Sequence, residues 1–260
     1  MISVSLYILF IAIVCIGGYS IKSLSLSGSI MAFLTGCCIA IGFKWQGLVV
    51  LGLFFASSSI WSKFKKKQKE KLGDILAKGE QRDWVQVFAN GSIASISSVL
   101  FYLTNDQIWM LGFFVSIAAA NSDTWASEIG VLSKGKPFYL LSLQRVERGT
   151  SGAVSLLGSL ASLAGASIIA VSIAILFPIP SFSYMLIIIL FGFLGSLVDT
   201  LLGATIQARY TCQTCGILTE KSFHCGEQTK LTKGLSWCNN DTVNWLSIVF
   251  VTLVAVMFPY

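Results

Sequence analysis

What this chain has least of is charge. Asp, Glu, Lys and Arg make up 12% of its 260 residues, against 55% hydrophobic ones, and the mean hydropathy is +0.77. A water-soluble fold needs far more polar surface, so the surrounding medium must be largely lipid. No segment free of long apolar runs is large enough for an independent soluble domain, which leaves a single polytopic transmembrane domain over residues 1–260. The apolar stretch from Met1 to Ile16 has no basic segment ahead of it and no small-residue cleavage pattern behind it, so it is expected to be a retained helix rather than a signal peptide.

Apolar windows near the ~20 residues that span a bilayer fall at 2–17, 28–43, 46–61, 84–103, 107–127, 153–177, 184–207 and 241–258. The expected fold is all-α and integral to the membrane, about eight transmembrane helices in one bundle with short outer loops. A net charge of +6 would suit a nucleic-acid binder, but the positions of the basic residues explain it better. Odd-numbered loops hold Lys22; then Lys63, Lys65, Lys66, Lys67, Lys69, Lys71, Lys78 and Arg82; then Lys134, Lys136, Arg145 and Arg148; then Arg209, Lys221, Lys230 and Lys233. Only Lys44 lies on the other side. This bias assigns the odd loops, about 62–83, 131–150 and 208–238, to the cytosol and both termini to the outside, in the plasma membrane of a prokaryote. The run Lys63 to Lys71 reads as a topology signal in preference to a site for anionic lipid. The outer loops, Thr104 to Gln107 and Pro178 to Ser183, leave no room for a folded site, so the active face is cytosolic.

Ionisable residues within a membrane are costly and are functional candidates by default. The fifth helix ends in Asn121-Ser122-Asp123-Thr124-Trp125-Ala126-Ser127-Glu128, and the seventh carries Asp199-Thr200 with Gly192, Gly195, Ser196 and Gly203 on one small-residue face. The eighth begins Asn239-Asn240-Asp241-Thr242-Val243-Asn244. Asp123 and Glu128 are offset by about one turn and can flank one pocket. Four acids, Asp123, Glu128, Asp199 and Asp241, converge at one depth and repel unless a cation neutralises them. Oxygen donors with almost no His or thiolate among them favour Mg²⁺. Before the sixth helix, Arg145 and Arg148 precede Gly149-Thr150-Ser151-Gly152, where helix N–H groups and guanidinium forks can cradle a phosphate or simply cap the helix. Gln86 and Asn90, at i,i+4 spacing in the fourth helix, either orient a phosphate or bridge helices. Metal, phosphate and lipid together suggest transfer of a phosphoryl or nucleotidyl group to a lipid phosphate.

The combination of Arg82, Gln86-Val87 and Ala89-Asn90; Asp123-Thr124 with Ser127-Glu128-Ile129-Gly130; Gly149-Thr150 with Gly152-Ala153-Val154-Ser155; Asp199-Thr200 with Gly203-Ala204-Thr205 and Gln207; and Asn240-Asp241 with Val243-Asn244 resembles a known integral membrane family. It includes plant phytyl-phosphate kinase, of the vitamin E pathway, and many bacterial, archaeal and animal transmembrane proteins, and the match runs from about Lys22 to Asn244. The resemblance implies an isoprenoid-phosphate kinase that uses ATP or CTP to convert a prenyl monophosphate to the diphosphate. It makes Asp123, Glu128 and Asp199 ligands of metal and nucleotide, with Asp241 or Asn240 completing the site. Arg148 then serves catalysis, and Asn121, Thr124, Ser127, Arg145, Thr200, Gly203, Gln207 and Asn244 join the substrate-binding set. A nucleotidyltransferase making a CDP-lipid, or a transporter or scramblase of a phosphorylated lipid or cation, remain alternatives.

Of seven Cys, Cys15, Cys37 and Cys38 sit in apolar runs. Cys212, Cys215, Cys225 and Cys238 share the last cytosolic loop with His224, the chain's only His. Four thiolates, or three with the His, suffice for a structural Zn²⁺; a redox-sensitive loop or ordinary thiols are the other readings.

Overall fold

The computed structural model describes residues 4–69, 79, 81–178 and 181–257. Lys71 and Lys78 of the basic loop lie outside the described residues, as do the expected helical positions 2–3 and 258. Helices α1 (Val4–Ser20), α2 (Leu26–Lys63), α3 (Lys66–Lys69), α4 (Trp84–Thr104), α5 (Gln107–Gly130), α6 (Leu156–Leu176), α7 (Phe182–Thr205) and α8 (Asn240–Met257) follow the apolar windows closely. Ser25, Asp83, Asp106, Ser155 and Ser181 cap α2, α4, α5, α6 and α7, their side chains accepting from backbone N–H groups of the first turn. Asp83 and Gln86 form a reciprocal capping box.

At 38 residues α2 would be ~57 Å long if straight, nearly twice a bilayer core. It is not straight. Lys44 has φ 50° and ψ −140°, outside the helical region, and Ala32, Thr35 and Gly36 on one side of it line the same cavity as Leu48, Leu51 and Phe55 on the other. The two arms therefore fold back on each other, and the windows 28–43 and 46–61 correspond to them.

Among the described residues, α2, α4, α6, α7 and α8 are long and apolar enough to cross a membrane, and α1 is a shorter apolar helix. Their outer faces expose large hydrophobic side chains such as Leu156 (78%), Ile175 (77%) and Met257 (80%), which only a lipid solvent tolerates. Helix α5 is different. Every residue from Met110 to Ser122 is buried, because α2, α4, α6, α7 and α8 all pack around it.

Small residues allow that enclosure. A Cβ on Gly195 of α7 would lie 2.6 Å from Ala119 Cβ of α5, and one on Gly192 would lie 2.9 Å from Ala118 Cβ. The small-residue face of α7 thus packs against α5. Since α5 and α7 run in the same direction, the 195/119 contact brings Asp199 beside Asp123 one turn later.

The loops depart from the all-α expectation. Strands β1 (Phe138–Tyr139) and β2 (Ala153–Val154) form one ribbon, β4 (Leu218–Thr219), β3 (Arg209–Thr211) and β7 (Lys230–Lys233) a three-stranded sheet in that order, and β5 (Phe223–His224) with β6 (Glu227–Gln228) a hairpin. Residues 153–154 pair with β1 rather than opening α6, which starts at Leu156.

Candidate functional site

A cavity of about 350 Å³ opens where α2, α4, α5, α6, α7 and α8 meet the loops. The structure brings most of the residues singled out above to its wall: Gln86 and Asn90 from α4; Asp123, Thr124, Ser127 and Glu128 from α5; Arg148, Gly149, Thr150 and Gly152 from the loop before α6; Asp199, Thr200 and Gln207 from α7 and its end; and Asn240, Asp241 and Asn244 from α8.

The acids divide into two groups. Asp123 and Asp199 face each other closely enough to interact electrostatically, and Ser196 is hydrogen-bonded to Asp123. The Asn244 amide, in the orientation that satisfies both its atoms, donates to Asp199 Oδ2 (2.8 Å) and to Asn240 O (3.1 Å). Glu128 is engaged elsewhere: Ser62 Oγ donates to its Oε1 (2.7 Å) and Lys69 Nζ to its Oε2 (2.6 Å). All four acids line the one cavity, but they are not equivalent. Lys69 already neutralises Glu128, and Asp123 with Asp199 form the pair that still needs a counter-charge. The two carboxylates, with the Ser196 hydroxyl beside Asp123, are oxygen ligands of the kind a hard divalent cation takes.

Three expectations are corrected. Asn121 does not reach the cavity. Fully buried, its Nδ2 donates to Gly165 O (2.7 Å) and its Oδ1 accepts from Ser57 (3.1 Å), so it clamps α2, α5 and α6 together. Arg145 turns away and lies over the Phe138 ring, 5.2 Å from its centroid. Gly203 packs against Gly152 instead of lining the cavity; Gly152 has φ +77° and abuts the Ala204 backbone, so a side chain there would be both strained and obstructed.

Other groups reached the site without being anticipated as ligands. Arg82 Nη1 donates to Ser59 Oγ (3.0 Å) and Nη2 to Ser62 Oγ (3.4 Å), with the guanidinium over Phe55. Burial holds its pKa below the ordinary range, partly offset by Glu128 nearby. Glu220 enters at the end of β4, accepting from Gln207 Nε2 (2.9 Å) and from Ser151 Oγ. Arg209 Nη2 donates to Ser151 O (2.8 Å), fixing the same loop from a second side. Arg148, expected at the site, lines the cavity and its Nη2 donates to Lys134 O (2.7 Å).

A second cavity, of about 130 Å³ and almost wholly apolar, lies between α1, α2 and α4. Phe10, Val14, Leu48, Leu51, Gly52 and Phe55 line it, and Arg82, Gln86 and Asn90 belong to both walls.

Sequence comparison agrees with the architecture. The family model described as integral membrane protein DUF92 matches residues 9–252. The chain is 31% identical to Protein PGR of Arabidopsis thaliana over 96% of its own length and 94% of that protein's. It is 32% identical to the uncharacterized membrane protein MJ0933 of Methanocaldococcus jannaschii over 75% of its length and 76% of the relative's. It is 27% identical to Protein VTE6, chloroplastic, of Arabidopsis thaliana over 91% of its length and 66% of the relative's. No solved structure matches significantly.

Proposed function

The chain belongs to the DUF92 family of integral membrane proteins, and from that premise we propose that it is an isoprenoid-phosphate kinase, moving a phosphoryl group from a nucleoside triphosphate to a membrane prenyl monophosphate. The observation that carries the reading is the wall shared by the two cavities at Arg82, Gln86 and Asn90. A prenyl phosphate has the same two-part chemistry, an apolar chain joined to an anionic head. Its tail suits the cavity between α1, α2 and α4, and its head then meets the Arg82 guanidinium and the two amides.

The nucleotide enters the larger cavity from the open side. A phosphate oxygen of the lipid forms a bond to the γ-phosphorus while the bond from that phosphorus to the β–γ bridging oxygen breaks, leaving the nucleoside diphosphate. Such a transfer needs positioning and charge neutralisation more than a special nucleophile. Arg82 and Arg148 supply fixed positive charge, and the Gly149 to Ser155 loop supplies backbone N–H and hydroxyl donors. Asp123 and Asp199 would hold Mg²⁺, with Asp241 nearby on α8, and the ion would neutralise charge on the triphosphate. Lys69, paired with Glu128, also lines this cavity.

We read the apolar segments as eight crossings, counting the arms of α2 separately, with the cavity end in the cytosol and both termini outside, as the Lys and Arg bias requires. A transporter would need a polar path to the far end. There Phe43, Phe101, Phe113, Phe114 and Phe177 pack ring to ring, at centroid distances of 4.4 Å for Phe43 and Phe113 and 4.9 Å for Phe114 and Phe177, which favours a one-sided site.

Purified protein given labelled ATP or CTP with phytyl or farnesyl phosphate should form the prenyl diphosphate and a nucleoside diphosphate, and Asp199→Asn should abolish it. Release of pyrophosphate with a CDP-lipid product would instead make it a nucleotidyltransferase. Flux of a phosphorylated lipid through liposomes without nucleotide would make it a transporter, and an absence of product with every prenyl phosphate offered would sink the kinase.

A further inference from the structure

The segment from Ile206 to Asn239 folds into five short strands with almost no apolar interior: Ala208, Cys212 and Cys238 are its buried hydrophobic residues. A meander that small lacks the core to hold its own strand register, and such units depend on a covalent or metal staple. The structure contains a set of ligands for one. Among the described residues, a single group of three or more His, Cys, Asp or Glu has its ligand atoms mutually close: Cys212, Cys215, His224 and Cys225, all within 4.8 Å of one another.

We propose that Cys212, Cys215, His224 and Cys225 bind one structural zinc ion that staples this loop over the rim of the polar cavity. Of the two expected ligand sets this is the one with the His: His224 takes the fourth position and Cys238 is excluded. Cys238 lies at the foot of α8, its N–H bonded to Leu235 O (2.8 Å) and its carbonyl accepting from Ala208 N (2.7 Å).

Two tight turns present the ligands. In the first, Gly216 N donates to Cys212 O (2.9 Å) and Cys212 N to Ile217 O (3.0 Å), wrapping the chain around the Cys212 sulfur. The Cys215 backbone N–H points at that sulfur. In the second, Cys225 (φ 52°) and Gly226 (φ 82°) form the two-residue turn of the β5–β6 hairpin, turning His224 and Cys225 inward together. A tetrahedral zinc with bonds of about 2.3 Å to sulfur and 2.0–2.1 Å to nitrogen requires sulfur–nitrogen separations of about 3.6 Å. Cys215 Sγ is 3.6 Å and Cys225 Sγ 3.2 Å from His224 Nδ1. Three soft thiolates and an imidazole in a closed set select zinc over the hard cation suited to Asp123 and Asp199.

The staple bears on the cavity. Cys212 directly follows β3, which carries Arg209, and the Cys212–Cys215 turn joins β3 to β4, beyond which Glu220 follows. Arg209 and Glu220 both grip Ser151 of the cavity wall. Zinc therefore sets the strand pairing from which both hold that wall.

Elemental analysis of full-length protein purified in detergent without chelator should find about one zinc per chain, released stoichiometrically by a mercurial reagent. Cys215→Ser and His224→Ala should lose it, while Cys238→Ser and Cys15→Ser keep it. If the first two variants fold poorly, cobalt substitution of the wild-type protein and of Cys238→Ser supplies the independent readout, a thiolate-to-cobalt charge-transfer band in both. The proposal is overturned by wild-type protein that holds no stoichiometric zinc after reconstitution, by zinc lost equally from Cys238→Ser, or by a disulfide among these cysteines in freshly purified protein. Zinc content is read without any substrate, so the outcome is independent of whether the cavity is a kinase site.

Discussion

The two ends of the helix bundle are built from different residues. At the far end, Phe43, Phe101, Phe113, Phe114 and Phe177 interlock with Tyr184 against the start of α7. At the cavity end the same helices carry Ser, Gly, Asn and Asp, and face a hollow. Helix α5 shows the division along a single element, with close-packed Met110 to Ala120 first and the polar Asp123 to Glu128 after it. Packing is concentrated where nothing has to bind, and charge is tolerated where lipid gives way to an open cavity. Substitutions at one end should therefore alter chemistry without stability, and at the other stability without chemistry.

The sharpest test is Asp199→Asn. Phosphoryl transfer should drop by at least about 10²–10³-fold, as when a preorganised charge-stabilising group is removed. The unfolding midpoint in detergent should stay constant or rise, because one of two facing like charges is gone. A variant that melts much lower would merge the two ends into one. Phe113→Ala is the counterpart: the ring is fully buried and stacked on Phe43, so unfolding should become easier by about 3–5 kcal/mol. KM values for nucleotide and lipid should not move, and a shifted KM would deny the separation.

Gly52→Phe addresses the apolar cavity. A Cβ at Gly52 meets no heavy atom within 4 Å, so a side chain can branch from this cavity-lining position. KM for phytyl phosphate should rise about tenfold, equivalent to about 1.4 kcal/mol, and KM for a short prenyl phosphate should stay near its starting value. An equal rise for both would place the tail elsewhere. The smallest effect belongs to Lys44→Gly at the far-end turn. Glycine adopts φ 50°, ψ −140° without strain, so thermal unfolding should shift upward by about 1 kcal/mol with activity unchanged.

Much of the candidate site was legible because its residues are exceptions to their surroundings. An Asp in an apolar helix such as Asp123 or Asp199 stands out whatever the tertiary fold, and helical spacing alone assigns each to the same depth. Asn121 stands out equally but serves packing, since sequence cannot tell a polar group aimed at a ligand from one satisfied by Gly165 O and Ser57 across a helix interface. Lys69 hid inside a run of basic residues that topology already explained. Glu220 and Arg209 gave no signal, because the strands that bring them to Ser151 are two or three residues long and follow no periodicity.

By itself the sequence determined the medium, the helical class and the family, because apolar run length, loop charge and local motifs are properties of neighbouring residues. Tertiary structure alone decided which groups share a wall. The glycine contacts between α5 and α7 pair Asp199 with Asp123, the salt bridge to Lys69 takes Glu128 out of that pair, and the fold of the last loop selects His224 over Cys238. Each of those choices depends on distances between residues far apart in the chain, which only packing can set.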